Sequence, residues 1–507
     1  MTLFHFSAEA ISASAGDILY LHDKTESPSG AYELGEAIEI RLMIPRSLGA
    51  DAVRLDLYRD GESNSTIQCF GKWMGIDGIY DVYAFSVSSL RESAIYWLCF
   101  ELNSVFGILY AYPCRGKVKF TNDKATASPF QLTVSEFEYS APEGLSGGII
   151  YHVFVDRFAR AGDVPIKPDA RIVDDWSDGI PEYPAYPGAP MKNNTFYGGT
   201  LWGIIEKLDY IASLGANIIY LSPIFDAASN HKYDTADYMH VDPMFGGDEA
   251  LAELINAARK RDIKIILDGV FNHTGDDSVY FDRYGNYGKV GAASSKDSKY
   301  FEWYDFQSFP DKYTCWWGID ILPRINTNVP SCCDYFVGDG GVIEKYAKMG
   351  VAGFRLDVVD ELSDEFVKKL KSRLNDFNCG SVLYGEVWED ASNKIAYGVR
   401  KQYYLGKELD GVMNYPLRSG IIDYVKYGNI DKLKYALTEV TFNAPKRIRD
   451  VQMNLLGTHD TERILTVLGE SNAEGIPNEV LRTKRMSEME RSKAKLRLKS
   501  AYTILAT

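Results

Sequence analysis

The 507-residue chain carries 55 basic and 70 acidic side chains, a formal charge of −15, and no Lys/Arg run suited to a nucleic acid or an anionic membrane. At 46% hydrophobic and 25% charged, it has the makeup of a globular chain with a substantial core. No window approaches the run of about 18 apolar residues that a membrane span needs.

Seven cysteines, odd in number and without a CxxC pair or a His cluster, read as reduced and mostly buried thiols. The opening "MTLFHFSAEAISASAGD" lacks the basic region and apolar run of a signal peptide, so the expected location is the cytoplasm. Aromatic residues make up 13% of the chain, including 34 Tyr, which suits stacking on sugars as well as an ordinary large core.

Residues 1–135 read as strand after strand. "AIEIRLMIP", "AVRLDLYRD", "IYDVYAFSV" and "AIYWLCFEL" are short apolar or alternating runs separated by Gly, Pro, Asp and Ser, which predicts a β-sandwich. Residues 136–147 read as a linker. From residue 148 the rhythm changes. Strand candidates at 149–155, 216–225, 263–271, 351–359, 381–388, 409–415 and 451–460 alternate with helical patterns such as "GIIEKLDYIASLG" and "DEALAELINAARKRD". This alternation predicts an α/β fold, a (β/α)8 TIM barrel over 148–507, preceded by the all-β sandwich. The gap between the third and fourth strands exceeds one β/α unit and predicts an inserted loop domain at 274–335, rich in aromatics. The text ends on a helix-like "RLKSAYTILAT" after the seventh strand, so the chain appears to stop before the eighth, and a fragment without independent stability or activity is expected.

"GVAGFRLDVVDEL" (350–362) poses the sharpest question, because Arg355 and Asp357 share one face at the end of an otherwise apolar strand. In a parallel barrel the C-terminal strand ends converge on one mouth. Here they carry Asp268, Asn272 and His273 on the third strand, Arg355 and Asp357 on the fourth, Glu386 on the fifth, and His459 and Asp460 on the seventh. One strand-end Asp is more often a helix cap. Strand after strand with such an end is not explained by caps. Paired carboxylates at this place favour glycoside hydrolysis: one ionised to attack, one protonated to donate. Arg355 is expected to hold the pKa of Asp357 down, and the apolar neighbours of Glu386 to raise its own.

"DGVFNH" (268–273), "GFRLDVVDE" (353–361), "GEVW" (385–388) and "LLGTHDTER" (455–463), in this order, resemble the α-amylase superfamily of glycoside hydrolases. Within it the likeness is to the neopullulanase, cyclomaltodextrinase and maltogenic-amylase group. The resemblance implies Asp357 as nucleophile, Glu386 as acid/base and Asp460 as transition-state stabiliser. It implies Asp268 and Arg355 as their support, and His273 and His459 as ligands of the sugar at the cleavage point. Tyr233, in "HKYDTADY", would be the platform beneath that sugar, and "FYGGTLWGIIEKLDYI" (196–211) reads as scaffold. The implied activity is retaining hydrolysis of α-1,4 and, in this group, α-1,6 bonds in cyclodextrins, pullulan, starch or maltooligosaccharides. An α-glucosidase, a glucanotransferase or a non-enzymatic glucan-binding protein are the alternatives.

Departures accompany the likeness. Glu361 stands where many α-amylases place a calcium-site histidine, and in the neopullulanase group an acidic residue there lines the leaving-group side. "LPRIN" (322–326) replaces a related motif. No cofactor is required; members of the group can hold calcium near "DRFARAGD" (156–163), but the text offers no clear ligand set, so calcium is not assignable here. Trp316 and Trp317 suit either glucan contact or pinning of the inserted loop. The expected partners are an α-glucan and, through the N-terminal domain, a second copy of the chain, with neither nucleic acid nor membrane.

Overall fold

The computed structural model describes residues 3–8, 18–22, 30–87, 90–114, 117–140, 142, 144–176, 191–377, 380–469, 475–477, 480 and 483–506. Residues 9–17 of the stretch read against a signal peptide, two positions of the expected linker (141 and 143) and Cys379 lie outside them. Cys69, Cys99, Cys315, Cys332 and Cys333 are free thiols, of which Cys332 and Cys333 are buried. The chain forms two compact units, one of residues up to Glu138 with Trp388–Leu455 and Thr503–Thr507, the other of Tyr139–Val387 with Leu456–Tyr502.

In the first unit, among the described residues, twelve strands between Leu3 and Ser135 make one hydrogen-bonded network. Ala52–Arg59 pairs antiparallel with Ala94–Ser104, and Ile38–Pro45 with Tyr80–Val87. Along Ile38–Pro45, Ile38, Ile40 and Leu42 are buried while Glu39 and Arg41 between them are half-buried, the alternation that a one-sided sheet requires, before the run becomes wholly apolar and buried. Ile40, Leu42, Leu55, Leu57, Phe85, Phe100 and Leu132 form its core. The segment after Trp388 belongs to this unit: Phe442 joins the same core, and the Gln131 amide donates to Ser392 Oγ at 3.1 Å.

The second unit is built on five parallel strands: β1 (Ile150–Val153), β2 (Ile218–Leu221), β3 (Lys264–Gly269), β4 (Gly353–Leu356) and β5 (Val382–Gly385). They neighbour one another in chain order without reversal. That order is a barrel's rather than that of a doubly wound sheet, which reverses. β2, β4 and β5 are buried at every position, as strands covered on both faces must be. Gly353 is there because β4 runs so close to β5 that a Cβ would meet the Val382 carbonyl oxygen at 2.0 Å. The sixth strand candidate appears as Gly411–Val412 in the first unit, and the seventh shrinks to one parallel bridge, Met413 to Met453. The helical text at the end forms Glu488–Ala506.

"FYGGTLWG" behaves as scaffold. Thr200 caps Leu201–Glu206 by accepting the Gly203 N–H at 3.0 Å, while a Cβ on Gly199 or Gly203 would strike the Val155 or Ala159 carbonyl at 2.0 or 2.1 Å. Between β3 and the helix Pro330–Val337 the chain makes a long excursion. Its aromatics form its own packing: Phe281 stacks on Phe306, and Tyr280 on Trp303, at 5.8 and 5.6 Å. Among the described residues no helix is long and apolar enough to cross a membrane.

Candidate active site

Arg355 is the centre of the site. In the parallel register it lies opposite Asp268 on β3, and Asp357 follows two residues on, so all three side chains meet at the C-terminal ends of the strands. The guanidinium is fully buried. Nη1 donates to Asp268 Oδ1 and Oδ2 at 2.9 and 3.1 Å and to Asp357 Oδ1 at 2.9 Å. Nη2 lies 2.9 Å from Glu386 Oε2 and 3.9 Å from Asp460 Oδ2. One cation therefore gathers four carboxylates from β3, β4, the end of β5 and the loop at 460.

The turn after Asp357 is shaped for this. Val358 adopts φ +39°, a left-handed conformation that is strained for a β-branched residue. The strained turn aims its N–H at Glu386 Oε2, 2.9 Å away. Asp268 is held from a second direction, accepting from Tyr220 Oη at 2.5 Å and Tyr233 Oη at 2.8 Å. Tyr233 Oη also pairs with His459 Nε2 at 2.5 Å, and that nitrogen is 3.2 Å from Asp460 Oδ2. The Tyr233 ring stacks with His231 and with His459, centroids 5.9 and 5.3 Å apart, and is half buried.

Burial pushes the Asp357 carboxyl well above the ordinary carboxylate range; Arg355 opposes this, and Glu386 and Asp268 add to it. Asp268 is raised for the same reason. This corrects the expectation that Arg355 keeps Asp357 low, since a guanidinium shared among Asp268, Asp357 and Glu386 does not offset the desolvation of them all. Asp460, at the solvent edge of the cluster, is pushed up to about 6 by desolvation, with Arg355 opposing and Glu386 and Asp268 adding. The histidines go the other way. Burial lowers His273 to about 4 and holds His459 far down, with Arg355 adding to the latter, so both stand neutral.

His273 is buried at the end of β3, stacked on Trp316 at 5.5 Å. It forms a backbone bridge with Arg324 of "LPRIN", whose Nη2 reaches the Glu361 carbonyl at 3.2 Å and its carboxylate at 3.8 Å. Asp357, Glu386, Asp460, Asp268 and Arg355 thus form one cluster, joined by Tyr233 and His459. His273 and Glu361 connect through the inserted loop.

Several residues here were not singled out from the sequence. His152 on β1 is the register partner of Tyr220 on β2 and stacks on it at 4.7 Å, packing also against His459 at 5.3 Å. A polar-tipped side chain at matching positions of two neighbouring strands was the available signal. Lys232 is wholly buried, donating to Asp242 Oδ2 at 2.5 Å beside Lys167, which donates to the same oxygen at 2.5 Å. This brace sets the loop that carries Tyr233; nothing in "HKYD" signalled a buried ammonium.

In the stretch 156–163, where the text offers no clear calcium ligand set, the one buried carboxylate is Asp156. Asp156 Oδ1 accepts from Tyr197 N and Gly198 N at 3.0 and 3.1 Å, and Oδ2 from Arg157 Nε at 3.1 Å, so its carboxylate is engaged by donors. Among the described residues no group of three or more His, Cys, Asp or Glu is placed to hold a metal.

Comparison with known proteins agrees with this geometry. A family model described as the alpha amylase catalytic domain matches residues 152–489. The amylopullulanase of Thermoanaerobacterium saccharolyticum is 33% identical over 511 residues, covering 89% of this chain and 38% of that protein. Neopullulanase 2 of Thermoactinomyces vulgaris is 31% identical over 370 residues, covering 71% and 58%. Among solved structures, a ligand-free cyclic alpha-maltosyl-(1→6)-maltose hydrolase from Arthrobacter globiformis superposes with a TM-score of 0.55 at 29% identity, over 65% of this chain and 69% of that one. The chain spans less than two thirds of the length of the two curated relatives. With the family model matching more than half of its residues, over the same strands whose ends gather the carboxylates, the chain belongs to the α-amylase family.

Proposed function

We propose that the chain is a retaining α-glucan hydrolase acting on α-1,4 bonds, and on α-1,6 bonds, in cyclodextrins, pullulan, starch or maltooligosaccharides. The observation that carries this is the placement of Asp357 and Glu386 on the two terminal nitrogens of one guanidinium, each at 2.9 Å. Sharing a single small cation favours the close carboxyl spacing of retaining enzymes, about 5–5.5 Å, over the wider gap that leaves room for a water in inverting ones. The relatives named amylopullulanase and neopullulanase 2 supply the substrate class.

In this reading the ionised Asp357 attacks the anomeric carbon while Glu386 gives its proton to the glycosidic oxygen, which leaves with the aglycone. The glycosyl ester on Asp357 is then opened by water, whose proton returns to Glu386. Asp460 stabilises the positive charge that develops on the ring, and Asp268 and Arg355 position the nucleophile. Tyr233, His273 and His459 bind the sugar at the cleavage point; neutral imidazoles suit hydrogen bonding to hydroxyls. Glu361, tied to Arg324, lines the leaving-group side. No step needs a metal. The twelve-stranded N-terminal network is read as the sandwich domain and the excursion after β3 as the inserted domain.

Reducing-sugar release from cyclodextrin, pullulan and soluble starch tests the proposal, beside Asp357→Asn and Glu386→Gln. Cleavage that both substitutions abolish supports it. No release from any of the three by the folded protein overturns hydrolysis and leaves transfer or binding to be assayed.

A further inference from the structure

The excursion after β3 ends in an aromatic ladder. His273, buried beside the catalytic cluster, stacks on Trp316 at 5.5 Å with 24° between the planes, and Trp316 stacks on Trp317 at 5.3 Å with 21°. The outer indole is 78% exposed, among the most exposed large apolar side chains of the described residues. Ile319 and Ile321, two and four residues further along the chain, are also 40% and 42% exposed. Trp317 also sits at φ +50°, ψ +28°, a left-handed position that Gly or Asn fills without strain. A bulky apolar residue held there, facing water, gains nothing for the fold from its outer face. If the pair only pinned the loop, the outer ring would be covered; it is the inner ring, Trp316, that is packed.

We infer that Trp317 is a sugar-stacking platform, holding a glucosyl ring of the α-glucan beyond the residues at the cleavage point. Its inner neighbour sets the orientation of the indole, and the contact with His273 ties that orientation to the site. A flat, exposed apolar face matches the C–H face of a pyranose, with the ring hydroxyls left in water. This assignment deepens the hydrolase reading and rests on it for the identity of the chain that is bound.

The test is Trp317→Ala, with Trp317→Phe as the variant that keeps an aromatic face. The ratio of KM for soluble starch to KM for maltotriose is expected to rise roughly fivefold in Trp317→Ala, the value of one stacked ring, and to return most of the way in Trp317→Phe. An unchanged ratio overturns the platform. So does an equal loss of kcat on both substrates with a lowered melting temperature, the signature of a loop pin. A change of oligomeric state with unchanged sugar affinity overturns it too, by making the patch a contact between copies. The reading survives a failure of hydrolysis in a distinguishable way. If the wild type cleaves nothing, titration with maltoheptaose is followed by tryptophan fluorescence: a response lost in Trp317→Ala supports the platform, and no response in the wild type overturns it.

Discussion

Replacing Arg355 with lysine is the most direct test of how the site is held. The guanidinium serves Asp268, Asp357 and Glu386 within 3.1 Å from two nitrogens, while an ammonium is one point charge on a flexible stem and reaches fewer of them at once. Asp357 already stands above the ordinary range through burial, and weakening its main opposing charge raises it further, leaving less of it ionised at a given pH. Losing a hydrogen bond to a charged group costs about 1.5–3 kcal/mol, a factor of roughly 10 to 100 in rate. Arg355→Lys should therefore lose about 10- to 100-fold in kcat/KM on starch at pH 7, with part of the loss recovered as pH rises. Arg355→Met, which leaves the carboxylates without any cation, should cost about 3–5 kcal/mol of stability in urea unfolding. A lysine variant within about threefold of the wild type, with an unshifted acid limb of the pH–rate profile, would refute the electrostatic argument.

Tyr233→Phe removes the hydroxyl that donates to Asp268 and meets His459 but keeps the ring, so kcat/KM should fall about 10- to 100-fold with stability nearly unchanged; comparable losses in urea midpoint and rate would assign the residue to packing instead. His273, whose folded pKa is about 4 against 6.5 unfolded, contributes stability that is fully present above pH 6.5 and lost as pH falls towards 4, on the order of 3 kcal/mol in all. His273→Asn should flatten that acid loss when unfolding free energies at pH 5 and 7 are compared. Asp460 has the opposite sign: its folded pKa of about 6 lies above the unfolded value of 3.8, so the stability it contributes is lost as pH rises from about 4 to 6, and Asp460→Asn should remove that slope. Gly353→Ala forces a Cβ towards the Val382 oxygen between β4 and β5 and should cost about 1–3 kcal/mol or more in thermal or urea unfolding.

The parallel strands and the residues at their ends were legible because both rest on local pattern. A doubly covered strand must be an apolar run, so a charge at its end stands out, and Arg355 with Asp357 could be placed on one face by the period of two alone. The family motifs carried the roles proposed for Glu386, Asp460 and Tyr233 for a similar reason, since each sits inside a short motif that is readable within its own segment. What the local pattern did not carry was every property set by side chains meeting from distant segments. The raised pKa of Asp357 follows first from its burial and then from the Glu386 and Asp268 carboxylates beside it, surroundings that exist only after β3, β4 and β5 are aligned. His152 beneath Tyr220, and Lys232 against Asp242, are ordinary letters in their own segments and become a stack and a brace only through register and burial. The grouping of Trp388–Leu455 with the N-terminal strands was equally out of reach, because it depends on where Phe442 finds an apolar core. The amino-acid order determined which strands form and which polar groups stand at their ends; the tertiary structure alone decided how strongly those groups act on one another, because desolvation and ion pairing depend on distances that no single segment contains.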